Sequence, residues 1–149
     1  MRSRNSLSAF ALCLLATGPS VAAERPQPAG PVEVTAEKTK ICEEALANYK
    51  AANPGATADG KQLVFSYKYT FCPPNLKIKA GTTVRWVNVE KRTSHSVWLR
   101  AAGIAESPRL FPEETWEQTF DAPGRYPYLC GPHWEQEGMF GFVEVTPWR

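Results

Sequence analysis

The chain has 149 residues, enough for one domain, with 17 basic and 15 acidic residues and a formal charge of +2. That balance excludes the one-sided basic excess of a nucleic-acid binder. Beyond the N-terminal leader, no segment is apolar enough to cross a membrane.

Residues 1–23 read as a secretory signal peptide. Arg2 and Arg4 give a positive start, Leu7 to Thr17 is a short apolar run, and Val21-Ala22-Ala23 supplies the small residues of a cleavage site. Cutting is expected after Ala23, which removes Cys13. A lipid anchor on Cys13 is disfavoured, because Leu12 stands where a small residue is needed. Without Arg2 and Arg4 the 17 basic residues become 15, equal to the 15 acidic ones, so the exported chain is formally neutral. The expected compartment is the periplasm.

Residues 24–60 read as a leader and a helical extension. Glu24 to Gly30 is rich in Pro and Gly, and Pro31 to Thr35 suits a short strand. Cys42, Ala45, Leu46 and Tyr49 then fall on one stripe of an amphipathic helix, with Thr35 as its cap and Asn53-Pro54-Gly55 as its end. Residues 61–149 read as a β domain. Leu63, Phe65, Tyr67, Tyr69 and Phe71 alternate with polar or smaller residues, which predicts one long strand with one buried face. Cys72-Pro73-Pro74 breaks it. Leu76 and Ile78 make the next strand, Ala80-Gly81 a turn, and Val84 and Trp86 lead a further strand into Asn88. Glu90 to Ser94 is a polar loop, and His95, Val97 and Leu99 share the inner face of a strand. Ala101 to Glu114 reads as a long surface connection. Trp116 and Phe120 mark another strand, Asp121 to Gly124 a turn, and Tyr126, Tyr128 and Cys130 one strand face. Met139, Gly141, Val143 and Val145 alternate on the last strand. Short strands between turns, with one helix, predict an all-β fold: an antiparallel Greek-key β-sandwich with an added N-terminal helix.

The chemistry is concentrated in Cys130-Gly131-Pro132-His133-Trp134-Glu135-Gln136-Glu137-Gly138-Met139. The chain has two histidines, His95 and His133, and after removal of Met1 one methionine. The alternation brings His95, Cys130, His133 and Met139 to strand ends at one pole of the sandwich. A thiolate, two imidazoles and a weak axial thioether are the ligand set of an electron-transfer copper site. Zinc competes for the same donors, but a structural zinc site favours more Cys or His in a closed tetrahedron. With Cys130 committed to a metal, Cys42 and Cys72 remain to form a disulfide, as an oxidising compartment permits. Two free buried thiols are the other reading.

Asn75 to Asn88 followed by Ser94-His95-Ser96-Val97, then Phe120 to His133 and Met139 to Val145, resemble cupredoxins of the plastocyanin and pseudoazurin type. The resemblance covers roughly Leu63 to Val145. It implies a single type 1 copper per chain and a soluble, monomeric one-electron carrier rather than an enzyme. It also implies that the Ser96 backbone N–H bonds the thiolate, with Asn88 as a further supporting residue. His133 and Met139 enclose five residues, one more than in plastocyanins, which leaves Gln136 and Glu137 as rival axial donors. Electrons are expected to pass at the His133 edge, inside an apolar collar of Pro132, Trp134 and Phe140. Glu135 and Glu137 read either as an acidic patch or as simple solvated charge. Expected partners are redox proteins such as a c-type cytochrome, a periplasmic dehydrogenase or a terminal reductase or oxidase. Copper trafficking or storage is the alternative function. Copper enzymes on this fold need further histidines for a second copper, and both histidines here are already used.

Overall fold

A computed structural model describes residues 26–149, so the expected signal peptide, Cys13 and the start of the expected leader lie outside the described residues. One helix, α1 (Ala36–Ala52), precedes seven strands: β1 (Gln62–Tyr67), β2 (Thr70–Cys72), β3 (Asn75–Lys79), β4 (Thr82–Asn88), β5 (Thr115–Phe120), β6 (Gly124–Leu129) and β7 (Phe140–Thr146). A 3-10 turn spans Arg100–Ala102, and a short helical turn, α2, spans Trp134–Glu137. The strands form two sheets, ordered β2-β1-β4-β5 and β3-β7-β6. They pack as a Greek-key β-sandwich around Val64, Phe71, Val84, Trp86, Val97, Leu99, Tyr128 and Val143. Burial of each such large side chain contributes about 1.5–3 kcal/mol.

Pairing is not wholly antiparallel as expected. β1 runs parallel to β4, and β3 parallel to β7. Parallel neighbours need long crossovers, which is why period and turn signals alone missed them.

The long strand expected from residue 61 onward is two strands. Tyr67 pairs with Thr70, and Lys68 and Tyr69 form the turn with φ of 45° and 54°. Positive φ at both central residues is the hairpin geometry that usually calls for Asn or Gly. Nor does β1 bury one face only, since Val64, Phe65 and Ser66 are all buried. Val64 belongs to the core between the sheets, while Phe65 packs outward with Ala45, Cys72 and Val87 beneath α1.

Thr35 caps α1 by accepting from Lys38 N–H, and the Asn53 N–H closes the helix on the Tyr49 carbonyl. The buried stripe is Ile41, Cys42, Ala45 and Tyr49; Leu46 is 42% exposed and does not belong to it. The Tyr49 ring lies 4.8 Å from that of Phe65. Cys42 and Cys72 form the expected disulfide across 30 positions of chain. By loop-closure entropy it contributes about 3–4 kcal/mol. Residues 31–35 form no strand. Val32 is instead held at both its N–H and its carbonyl by the Asn75 side-chain amide, at 2.7 and 2.8 Å.

The segment around His95 also differs from expectation. It is not a full strand but a pair of isolated bridges, His95 to Leu110 and Trp98 to Leu129. Leu129 belongs to β6, whereas Leu110 lies in the connection between residues 101 and 114. That connection is anchored rather than superficial, with Ser107 and Leu110 buried.

Candidate metal centre

His95, Cys130 and His133 converge at one pole, each offering a donor atom within 4.8 Å of the others. The Cys130 Sγ lies 3.6 Å from His95 Nδ1 and 3.4 Å from His133 Nδ1. Cys130 stands just past the end of β6, and the Ser96 backbone N–H donates to its sulfur at 3.4 Å. The Ser96 hydroxyl accepts from Gly131 N–H at 2.9 Å and donates to Glu106 Oε1 at 2.5 Å, tying the ligand loop to the His95 segment. A Cβ at Gly131 would meet the Glu106 carboxylate, the far end of an exposed side chain that would have to swing aside.

His95 is fully buried and held on both sides. Its N–H and carbonyl exchange bonds with Leu110 at 3.0 and 2.8 Å. Asn88 is fully buried and organises the same wall. Its Nδ2 donates to the carbonyls of Thr93 and Leu110 at 2.8 and 2.9 Å, and its Oδ1 accepts from Glu90 N–H. The far nitrogen of His95, Nε2, is 3.5 Å from Glu90 Oε1. Nε2 makes no hydrogen bond among the described residues, and a proton there would face the carboxylate and leave the Nδ1 lone pair towards the sulfur. The sequence offered no specific signal for Glu90 beyond an acidic residue in the loop before His95.

Burial governs the ionisation of the donors. It lowers His95 from its usual 6.5 to about 4, with further repulsion from His133 and Arg109. His133 is also lowered, first by burial and then by Arg109, while Glu137 pulls it back. Burial pushes the Cys130 thiol up to about 11, against the hydrogen bonds from Ser96 and the charge of Arg109. Both imidazoles are therefore neutral near pH 7, as metal ligands must be, and the sulfur already has a donor for its anionic form. A thiol and two neutral imidazoles fit a borderline metal cation such as copper.

The ligand loop absorbs its additional residue in α2. Trp134 N–H returns to the Cys130 carbonyl at 2.9 Å and Glu137 N–H to the His133 carbonyl at 3.1 Å. Gly138, in the left-handed region at φ 63°, then ends the turn. Met139 N–H reaches the His133 carbonyl at 3.3 Å, and the Met139 carbonyl accepts from Cys130 N–H at 3.1 Å. Met139 is fully buried in the cluster that contains Cys130, whereas Gln136 and Glu137 are exposed.

One member of the expected collar is not at the surface. Trp134 is 6% exposed, with its ring 6.4 Å from Phe140. The Arg100 guanidinium stands 5.3 Å from the Trp98 ring and 5.9 Å from that of Trp134. Pro132, His133 and Phe140 are half-buried. Sequence reasoning also missed Tyr69. Its ring meets His133 edge-on at 4.9 Å and remains 41% exposed.

Residues 58–146 match the model of a family of copper-binding proteins, the plastocyanin/azurin family. Amicyanin-alpha of Methylorubrum extorquens is 36% identical over 69 residues, which cover 44% of this chain and 58% of that protein. Amicyanin of Paracoccus denitrificans is 35% identical over 80 residues, or 51% of this chain and 60% of that protein. The chain thus spans somewhat less than two thirds of these amicyanins. Plastocyanin of Scenedesmus fuscus is 33% identical over 97 residues, covering 59% of this chain and 92% of that protein. Among solved structures, a reduced Cu(I) form of an amicyanin variant superposes with a TM-score of 0.54 at 32% identity. That match covers 60% of this chain and 86% of the amicyanin.

Proposed function

The chain belongs to the plastocyanin/azurin family of copper-binding proteins, and from that premise we propose that it is an exported one-electron carrier with a single type 1 copper. The observation that carries the reading is the buried Cys130 sulfur, faced by two imidazole Nδ1 atoms and by the Ser96 N–H. His95, Cys130 and His133 would hold the copper, with Met139 as the weak axial donor. Copper bound by a thiolate and imidazoles supplies a one-electron couple, Cu(I)/Cu(II), and an intense blue colour in the oxidised form.

The protein's own contribution is to hold these donors still and dry. Leu110 and Asn88 fix the backbone around His95, and the Glu90 carboxylate stands 3.5 Å from its Nε2. Ser96 N–H stabilises charge on the Cys130 sulfur. His95, Cys130 and Met139 are closed to water, whereas the half-buried His133 brings one ring to the surface. Electrons pass to redox partners at that edge, next to Pro132 and Phe140. The expected partners are exported c-type cytochromes, dehydrogenases or terminal reductases.

Copper titration with visible spectroscopy tests the proposal. One equivalent per chain should give an intense blue band that bleaches with a mild reductant and returns with an oxidant. A colourless protein that selects zinc from a mixture would overturn it. Mass analysis of the exported protein should find Glu24 as the first residue.

A further inference from the structure

The geometry points to Tyr69 as a positioning residue of the metal centre: its ring, carried on the β1–β2 hairpin and braced by α1, fixes the orientation of the His133 imidazole. The inference rests on the copper-site reading above. His133 is the least buried of the three donors, and the hydrogen bonds around it are local to its own loop. A ring on such a loop needs an outside support if its orientation is to stay fixed. Tyr69 supplies one from the opposite sheet. Its ring lies edge-on to His133 at 4.9 Å and to His95 at 6.3 Å, and the two histidine rings lie edge-on to each other at 5.0 Å. His133 thus packs against two rings that also meet each other, each contact in the edge-to-face arrangement that aromatic quadrupoles favour.

The hairpin is built to keep Tyr69 there. Lys68 and Tyr69 both adopt left-handed backbone conformations that side chains other than Gly, Asn and Asp rarely take. Such backbone persists only where surrounding contacts enforce it. Those contacts are present on three sides. Lys68 N–H donates to Glu90 Oε1 at 2.6 Å, and the same carboxylate oxygen stands 3.5 Å from His95 Nε2. Lys68 Nζ pairs with Glu44 of α1 at 2.6 Å. Three residues beyond Tyr69, Cys72 is bonded to Cys42 of the same helix. A tyrosine left 41% exposed gains little from burial, so its ring contacts to the histidines are what the arrangement secures. This also gives α1, which lies outside the stretch matched by the family, a part in the metal site.

Tyr69→Asn and Tyr69→Phe, made in the full copper-loaded protein, separate ring from backbone. Asparagine tolerates the left-handed turn but has no ring; phenylalanine keeps the ring. Transfer of copper to a chelator and the reduction potential are the readouts. Tyr69→Asn should remain blue, release copper up to about tenfold faster and shift the potential. Tyr69→Phe should match the parent. Unchanged release and potential in Tyr69→Asn would overturn the proposal, as would equal changes in both variants. Should the asparagine form not fold, Tyr69→Gly takes its place: faster release and a shifted potential support the proposal, and unchanged values overturn it. A parent protein that takes up no copper would instead overturn the copper-site reading itself.

Discussion

The two walls of the metal centre are built in opposite ways. The His95 wall is assembled from residues far apart in the chain: Leu110 bonds His95, Asn88 bonds Thr93 and Leu110, Ser107 bonds Val97, and Leu129 bonds Trp98. The opposite wall, residues 130–139, closes mostly on itself, with His133, Trp134, Glu137 and Met139 bonding back to Cys130 or His133. One wall is part of the core, and its histidine is fully buried. The other is a cassette between two strand ends, and its histidine reaches the surface. The loop's length is taken up locally, since α2 folds within the cassette and its backbone bonds return to Cys130 and His133. The core wall thus holds the buried histidine, and the cassette carries the half-buried one.

Five measurements would sharpen or break this division. Cys130→Ser should have the largest effect, abolishing the blue colour and most copper affinity, because it removes the one donor shared by both walls. Next is acid. In protein stripped of copper, His95 titrates at about 4 when folded and at its usual 6.5 when unfolded. The unfolded chain therefore takes the proton first. The His95 contribution to stability should be full above about pH 6.5, fall by about 3 kcal/mol towards pH 4, and level off below. Unfolding curves across that range check it, and His95→Asn should remove that part of the loss. Asn88→Ala should cost about 2–3 kcal/mol in chemical unfolding, since it leaves buried groups on the core wall short of partners. Met139→Leu should leave fold and blue colour intact but raise the reduction potential, because a weak axial donor stabilises Cu(II) more than Cu(I). Voltammetry reads this directly. An unchanged potential there, with a shift in Gln136→Ala, would reassign the axial donor. Glu135→Gln, on the exposed rim of the cassette, should change stability by no more than about 0.5 kcal/mol.

The cassette was the more legible wall. Cys130, His133 and Met139 stand within ten positions, and alternation along β6 and β7 places their ends together. His95 was legible as a donor because only one other histidine exists, but its support was not. Leu110, Ser107 and Glu90 act through pairings that carry no periodic signal, and the connection holding Leu110 looked superficial. The β1–β2 turn was hidden for a different reason. Lys68-Tyr69 sits in an unbroken alternation and lacks the Asn or Gly that announces such a turn. Tyr69 was thereby assigned to a strand interior and its contact with His133 went unseen. The sequence suggests Trp134 as part of an apolar collar at the His133 edge, yet the helical turn that begins there buries its ring beside Phe140 and Arg100. The disulfide followed from counting, because one thiol of three was already committed.

The register of β6 with β7, from Gly124 opposite Val145 to Leu129 opposite Phe140, has a consequence for the order in which the protein assembles. This antiparallel pair is contiguous in sequence, and hairpins of this kind form within about 1–10 μs. The parallel pairs β1–β4 and β3–β7 join segments much further apart, and such topologies close slowly. Cys130, His133 and Met139 all lie on or beside this local element, which as a lone hairpin is only marginally stable and is held by the rest of the sandwich. His95 arrives only as the sheets close over Trp86 and Tyr128. The cluster of His95, Cys130 and His133 thus depends on closure of the parallel pairs as well as on the hairpin.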